Sequence, residues 1–230
     1  MGLFAYSQNP FAQNKSDSLE LQAFKRSIGK SIFLDKKSVK PGDSFSVIVE
    51  LQLIDEWYTY WKTSGGIGMP MQFDVTPTEG IKLKSIDYPY PKYKFDSTIN
   101  SATYYNNGTV IYFLNFEVDK SAKAGEVDIN LTVNWQACKV QCIQPFGDLP
   151  RRTIKLTIGD STVENDAVKE LKEKGLAKIP AELPEGWTVH GLLTTKIFKG
   201  QFDDKEKDQP AVVVSIEAPK KVNPAKMKVF

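Results

Sequence analysis

The chain has 230 residues, 41% hydrophobic and 25% charged, enough for one large or two modest globular domains with buried cores. Its 30 Lys and Arg against 28 Asp and Glu leave a formal net charge of +2, spread along the length, so neither nucleic acid nor an anionic membrane is expected as a partner. No apolar run approaches the roughly 20 residues of a membrane span, and no charged n-region leads into a long apolar core.

Residues 1–27 are polar and read as a flexible N-terminal segment, whose first twelve residues suit either a trimmed signal remnant or an expression scar. The Lys40-Pro-Gly-Asp43 turn then launches a strand in which Phe45, Val47, Val49, Leu51 and Leu53 alternate with polar residues. Further strands are predicted over 71–75, 82–88, 109–118, 126–137 and 151–158, separated by turns such as Pro77-Thr-Glu-Gly80, Asn106-Asn-Gly108 and Lys123-Ala-Gly125. Strands in succession without intervening helices predict an all-β fold, an immunoglobulin-like antiparallel β-sandwich over about 28–158.

From Asp160 the pattern changes. Ser161 and Thr162 suit capping, Val163, Ala167, Val168 and Leu171 recur at helical spacing, and Gly175 is a natural stop, so 161–175 reads as a short helix within a linker over 159–186. Strand patterns resume at 187–198 and 211–218, flanking a charged loop at 203–208. Two strands are too few for a sandwich of about 100 residues. The segment 187–230 is therefore expected to be a strand extension or the start of a second β domain.

Cys138 and Cys142, in Trp135-Gln-Ala-Cys-Lys-Val-Gln-Cys142, are the only cysteines in the chain. The alternation from Val127 to Ala137 assigns Cys138 to the polar, outward face of its strand. Four residues of extended chain span roughly 13 Å, whereas a disulfide needs α-carbons within about 7 Å. A bond between the two would therefore require a sharp turn and would close a small, exposed loop. So small a loop removes little unfolded-state entropy, which makes a purely stabilising bridge inefficient and favours a labile bridge used in exchange. A structural staple and a metal-binding thiol pair remain the alternatives.

A second cluster, Asp55-Glu-Trp-Tyr-Thr-Tyr-Trp-Lys-Thr-Ser-Gly-Gly-Ile-Gly-Met-Pro-Met71, runs an aromatic-rich strand into a glycine turn. Together with Ile86-Asp-Tyr-Pro-Tyr-Pro91, Tyr104-Tyr-Asn-Asn-Gly108 and the stretch from Trp135 to Pro145, it resembles the N-terminal periplasmic domain of the DsbD/ScsB family of thiol:disulfide interchange proteins over roughly residues 30–158. The resemblance implies a redox domain, tethered at the inner membrane in the full-length protein. It would take electrons from a membrane-embedded donor domain and pass them to oxidised periplasmic thiol-disulfide proteins. It further implies Cys138 and Cys142 as the redox pair, Cys142 as the partner-linked sulfur and Cys138 as the resolving one. Tyr104 to Gly108 would fall at the family's cap over the sulfurs, although the sequence there departs from the acidic-aromatic pattern of well-known members. Tyr60, Tyr104, Tyr105 and Asn106 are the candidate cap or partner contacts, while Trp57 and Trp61 are better explained as core filling.

No cofactor beyond the cysteine pair and no metal is expected, and the isolated chain is expected to be monomeric. His190 is the sole histidine and lies in a strand pattern, so no hydrolase triad can be assembled from it. Two other function classes stay in view: a non-catalytic immunoglobulin-like binding module with a structural disulfide, and a copper(I)-handling domain using the cysteines with Met69 and Met71.

Overall fold

The structure, a computed structural model, describes residues 28–76, 78–145, 150–181, 186–199 and 206–217. The N-terminal segment expected over 1–27 lies outside these residues, as do 203–205 of the charged loop. Fourteen strands are described: β1 (Ile28–Leu34), β2 (Lys36–Ser38), β3 (Ser44–Gly65), β4 (Gln72–Val75), β5 (Ile81–Asp87), β6 (Lys92–Asp96), β7 (Ser101–Val118), β8 (Gly125–Asn134), β9 (Ala137–Cys138), β10 (Cys142–Ile143), β11 (Arg151–Ile158), β12 (Val163–Glu164), β13 (Thr188–Lys199) and β14 (Glu206–Glu217). One 3-10 turn (Asp166–Val168) leads into the single described helix, α1 (Lys169–Leu176).

The chain divides into one unit ending at Ile179 and another starting at Pro180. In the first, a seven-stranded antiparallel sheet runs β10-β9-β3-β7-β5, with β1 also on β3 and β6 also on β7. A second antiparallel sheet has the order β11-β8-β4. The alternation read from the sequence builds the core between them. Phe45, Val47, Val49, Leu51 and Leu53 of β3 meet Ile129, Leu131 and Val133 of β8, and the rings of Phe45 and Phe116 stack at 5.1 Å. The described strands thus form an all-β, immunoglobulin-like sandwich. In the second unit β13 and β14 pair antiparallel from Thr188↔Glu217 to Lys199↔Glu206, so residues 206–208 are strand rather than loop.

The helix is shorter than the predicted 161–175, and the reason is local. Thr162 does not cap it. Its hydroxyl instead donates to Asp43 (2.7 Å) and accepts from the Lys40 amide (3.0 Å), while β12 pairs with β2 and Lys36 contacts Glu164. The helical turn starts only after Asn165, whose side-chain amide donates to the Leu34 carbonyl at 2.8 Å. Val168 then joins Ile48, Ile111 and Phe113 in a second apolar cluster on the outer face of β3 and β7. This covering explains why Ile48 of β3 and Ile111 and Phe113 of β7 are apolar on the outer face, where β8 alternates cleanly. Lys172 adds an ion pair at 2.7 Å to Asp35, a carboxylate only 3% exposed that also accepts the Ser46 amide at 2.7 Å.

Gly175 does not stop the helix but lies inside it, for reasons of space. A β-carbon there would stand 2.6 Å from the Phe113 ring and 2.7 Å from the Ile111 methyl. Gly to Ala in a helix ordinarily gains up to about 1 kcal/mol, whereas overpacking a tight contact costs about 1–3 kcal/mol. Urea denaturation should therefore find Gly175→Ala less stable than the parent by about 1–2 kcal/mol. Gly159→Ala, where nothing lies within 4 Å, should be near neutral.

Candidate functional site

The cysteines are placed by a change of sheet. β8 ends at Asn134, Trp135 turns into the core at 2% exposure, and Gln136 is then held from two sides. Its carbonyl accepts the Thr59 hydroxyl (3.0 Å), and its side-chain oxygen accepts the Met69 amide (3.0 Å). The chain next adds to the seven-stranded sheet, with Thr59↔Ala137 and Tyr58↔Cys138 in register. It turns back through Lys139, whose amide donates to the Gln141 carbonyl (3.1 Å), and Cys142 pairs with Cys138. The two are disulfide-bonded, with α-carbons 4.1 Å apart.

One expectation is overturned here. Cys138 does not lie open on a polar face but is 1% exposed. The alternation itself carries through, since Val133, Trp135 and Ala137 all enter the main core and Cys138 faces away from it, but that face is covered by Tyr60 and its neighbours rather than open to solvent. Cys142, by contrast, is exposed, and Val140 at the tip of the loop is 96% exposed. The bridge therefore joins one buried sulfur to one that solvent reaches.

What covers Cys138 is aromatic. The Tyr60 hydroxyl donates to its Sγ at 3.6 Å, and Tyr60 is itself 5% exposed. Tyr58 meets Tyr60 edge-on at 5.7 Å and Tyr105 at 5.3 Å, and the Lys94 ammonium lies 4.0 Å over the Tyr58 ring. Burial and the contact with Tyr58 push the Tyr60 phenol up to about 12. Tyr60 is thus a neutral O–H donor throughout the range near pH 8.5 in which an ordinary thiol titrates. Between Leu53 and Tyr58 the register of β3 against β7 shifts, so that the residues from Ile54 to Trp57 bulge before the strand carrying Tyr58 and Tyr60 resumes.

The predicted cap residues divide between two faces. Tyr104 to Gly108 is not a loop but part of β7, paired with β3 through Tyr60↔Tyr105 and Thr59↔Asn106. Tyr105 joins the aromatic wall on the Cys138 side. Tyr104 packs instead with Trp61 (6.5 Å) and Tyr93 (5.6 Å), and Asn106 is buried with its amide donating to the Tyr90 carbonyl at 3.0 Å. Neither contacts the sulfurs. Trp61 fills a buried position with its indole N–H on the Pro89 carbonyl (2.7 Å), as expected of core filling. Sequence reasoning missed Tyr58, although it shares the parity of Tyr60 along the strand, and missed Lys94, which no local pattern marks. Met71 is 1% exposed within the main core, which removes it from the copper-ligand set considered above. His190 lies in β13 opposite Ser215, and no cluster of three His, Cys, Asp or Glu suited to a metal occurs among the described residues.

Comparison with known families adds a decisive match. The model described as "Thiol:disulfide interchange protein DsbD, N-terminal" matches residues 31–153, more than half of the chain and all of the site. The chain belongs to this family. Among solved structures, the N-terminal periplasmic domain of ScsB from Proteus mirabilis is similar at 12% identity and TM-score 0.44, covering 84% of this chain and 80% of that one. The DsbD N-terminal domain of Neisseria meningitidis in its reduced form is similar at 14% identity and TM-score 0.33, covering 62% and 94%. A complex of the DsbD and PilB N-terminal domains from the same organism is similar at 12% identity and TM-score 0.35, covering 62% and 91%. A comparison with curated protein sequences gives no match. The family, a periplasmic one, and the bonded cysteine pair together support thiol–disulfide exchange. No described helix is long and apolar enough to cross a membrane.

Gly68 holds the wall in place. It has φ of +113°, and a β-carbon there would fall on the Tyr60 ring. Gly68→Ala should displace Tyr60 and raise the iodoacetamide alkylation rate of reduced Cys138 severalfold, read by mass spectrometry. Gly108→Ala, also at positive φ but with nothing within 4 Å, should leave that rate unchanged.

Proposed function

We propose that this domain relays electrons from a membrane-embedded donor to oxidised extracytoplasmic proteins by thiol–disulfide exchange at Cys138–Cys142. The observation that carries the reading is the asymmetry of the bridge, with Cys142 exposed and Cys138 buried against the Tyr60 hydroxyl. An incoming donor thiolate reaches Cys142 Sγ, the Cys138–Cys142 bond breaks, and Cys138 leaves as a thiolate. That thiolate forms where an O–H donor already points, which lowers the cost of its charge in a buried site. The donor's second thiol then displaces Cys142, leaving the domain as a dithiol and the donor as a disulfide.

Toward an oxidised target the steps run in reverse order. The Cys142 thiolate attacks one target sulfur, the target's other sulfur leaves as a thiolate, and a mixed disulfide forms. The Cys138 thiolate attacks Cys142 Sγ, releasing the second target thiolate and restoring the bridge. Two electrons pass in each half-cycle. Cys142 is the partner-linked sulfur and Cys138 the resolving one, while Tyr60 and Tyr105 shield the pair. The site acts outside the cytoplasm, with the full-length protein tethered at the inner membrane.

Replacing Cys138 by Ala should trap a mixed disulfide through Cys142 with an oxidised protein disulfide, visible on a non-reducing gel. Trapping by Cys142→Ala alone would reverse the assignment. Equilibration with dithiothreitol should give the pair a potential above about −300 mV, the region below which structural disulfides lie. A potential below that value would favour a structural staple. Tyr60→Phe should keep the fold and raise the Cys138 thiol pKa in the reduced protein, followed by thiolate absorbance.

A further inference from the structure

The sheet that carries the disulfide continues beyond the aromatic wall to a strand with no role in the exchange chemistry above. Cys142, Cys138, Tyr58 and Asn107 stand opposite one another across β10, β9, β3 and β7, and Tyr60, Tyr105 and Lys92 form the next row, ending on β6. Directly opposed residues of antiparallel strands share a face. Lys92 and Lys94 therefore stand on the face of the disulfide, three strand spacings or roughly 14 Å from β9. Contacts agree with this placement: Lys92 Nζ donates to Asn107 Oδ1 at 2.7 Å, and Lys94 lies over the rings of Tyr58 and Tyr105 at 4.0 and 5.3 Å.

Neither ammonium has a carboxylate partner among the described residues. All five residues of β6 are exposed. On the other side of the aromatic wall Lys139 adjoins Cys138, with its Nζ 3.9 Å from a Glu56 side chain that is 89% exposed. Asp96, at the end of β6, turns its carboxylate to the Thr98 amide at 2.9 Å. The whole chain carries only +2, so Lys92 and Lys94, the two lysines without carboxylate partners beside the site, are a local feature and not a consequence of overall charge. Val140, between the cysteines and almost fully exposed, supplies an apolar point at the end of the sheet opposite β6.

We infer that β6 and the Lys139–Gln141 turn form a docking surface for a protein disulfide flanked by Asp and Glu side chains. Lys92 and Lys94 face that acidic rim while Val140 packs beside the partner's sulfurs. The inference rests on the exchange reading and names the class of partner it selects. The dimensions agree: a partner sulfur at Cys142 and its rim at β6 fall within one standard interface of about 800 Å² per side. Charged residues at the periphery of such surfaces, away from the point of contact, are usual. Charges in this position act mainly on encounter rate and on the choice of partner. Lysines in a short edge strand also discourage strand-to-strand aggregation, but that role gives no discrimination between disulfides of opposite charge.

The test uses two oxidised peptides with the same cysteine spacing, one flanked by Glu and one by Lys, offered to the dithiothreitol-reduced, desalted protein. In each turnover Cys142 and Cys138 give two electrons to the peptide disulfide, which becomes a dithiol as the protein bridge re-forms. At low ionic strength the Glu-flanked peptide should be reduced about tenfold faster than the Lys-flanked one. The preference should vanish near 1 M salt, where the Debye length is about 3 Å. The combined Lys92→Glu and Lys94→Glu protein, folded by circular dichroism, should reverse the preference, and Lys94→Arg should retain it. Should the double variant not fold, Lys92→Glu alone should at least halve the preference. Equal rates for the two peptides in the parent protein, or an unchanged preference in a folded charge-reversed variant, would overturn the inference. Failure to reduce either peptide at any salt would bring down the exchange reading, and this inference with it.

Discussion

The geometry of the site depends on how Gln136 is held. Its carbonyl and its side-chain oxygen are bonded from two different segments of the aromatic cluster, Thr59 and Met69. These two bonds fix where the chain leaves one sheet and joins the other. The pairing of Tyr58 with Cys138, the burial of Cys138 under Tyr60 and the return of Cys142 all follow from that crossing. The Met69 bond also ties the crossing to the glycine turn, whose Gly68 lies against the Tyr60 ring. The aromatic cluster and the cysteine segment, separate in sequence, are thus one mechanical unit.

The same residues serve packing and chemistry with a clear division of faces. On β3, Thr59 and Trp61 point toward the buried side, where Trp61 bonds the Pro89 carbonyl, while Tyr58 and Tyr60 build the wall over the sulfur. On β7, Asn106 and Tyr104 belong with the first set and Tyr105 with the second. A covered sulfur and an exposed sulfur in one bond suit a domain that must meet partners one at a time. In the exchange proposed above, attack is confined to one atom and the leaving thiolate forms beside a hydrogen-bond donor.

Much of the fold was legible because the core strands alternate strongly. The runs from Phe45 to Leu53 and from Val127 to Val133 each state which face is buried, and 151–158 coincides with β11. The cysteine pair was legible from its rarity and spacing. Three features were not. The burial of Cys138 was missed because alternation says which face a residue takes but not that Tyr60, from a strand 78 residues away, covers that face. The helix start was misplaced because Thr162 bonds Asp43, a partner 119 residues away that local pattern cannot supply. The segment from Tyr104 to Gly108 carries the Asn and Gly of a turn, yet pairing of Tyr105 to Gly108 with β3, and of Tyr104 and Tyr105 with β6, keeps it in the strand.

The brevity of β9 and β10 gives the covalent bond a second task. Only two residue pairs, Cys142↔Cys138 and Ile143↔Ala137, align these strands, and β9 is stitched to β3 by two more. A ladder this short is marginal without a cross-link. When the bridge opens, the return strand keeps its alignment through those few contacts alone, whereas Cys138 stays anchored under the tyrosines. In the proposed exchange, reduction would therefore release one end of the loop and not the other, giving Cys142 a tether with reach. On that reading, the electrons stored in the pair would also set the slack with which its reactive end meets a partner.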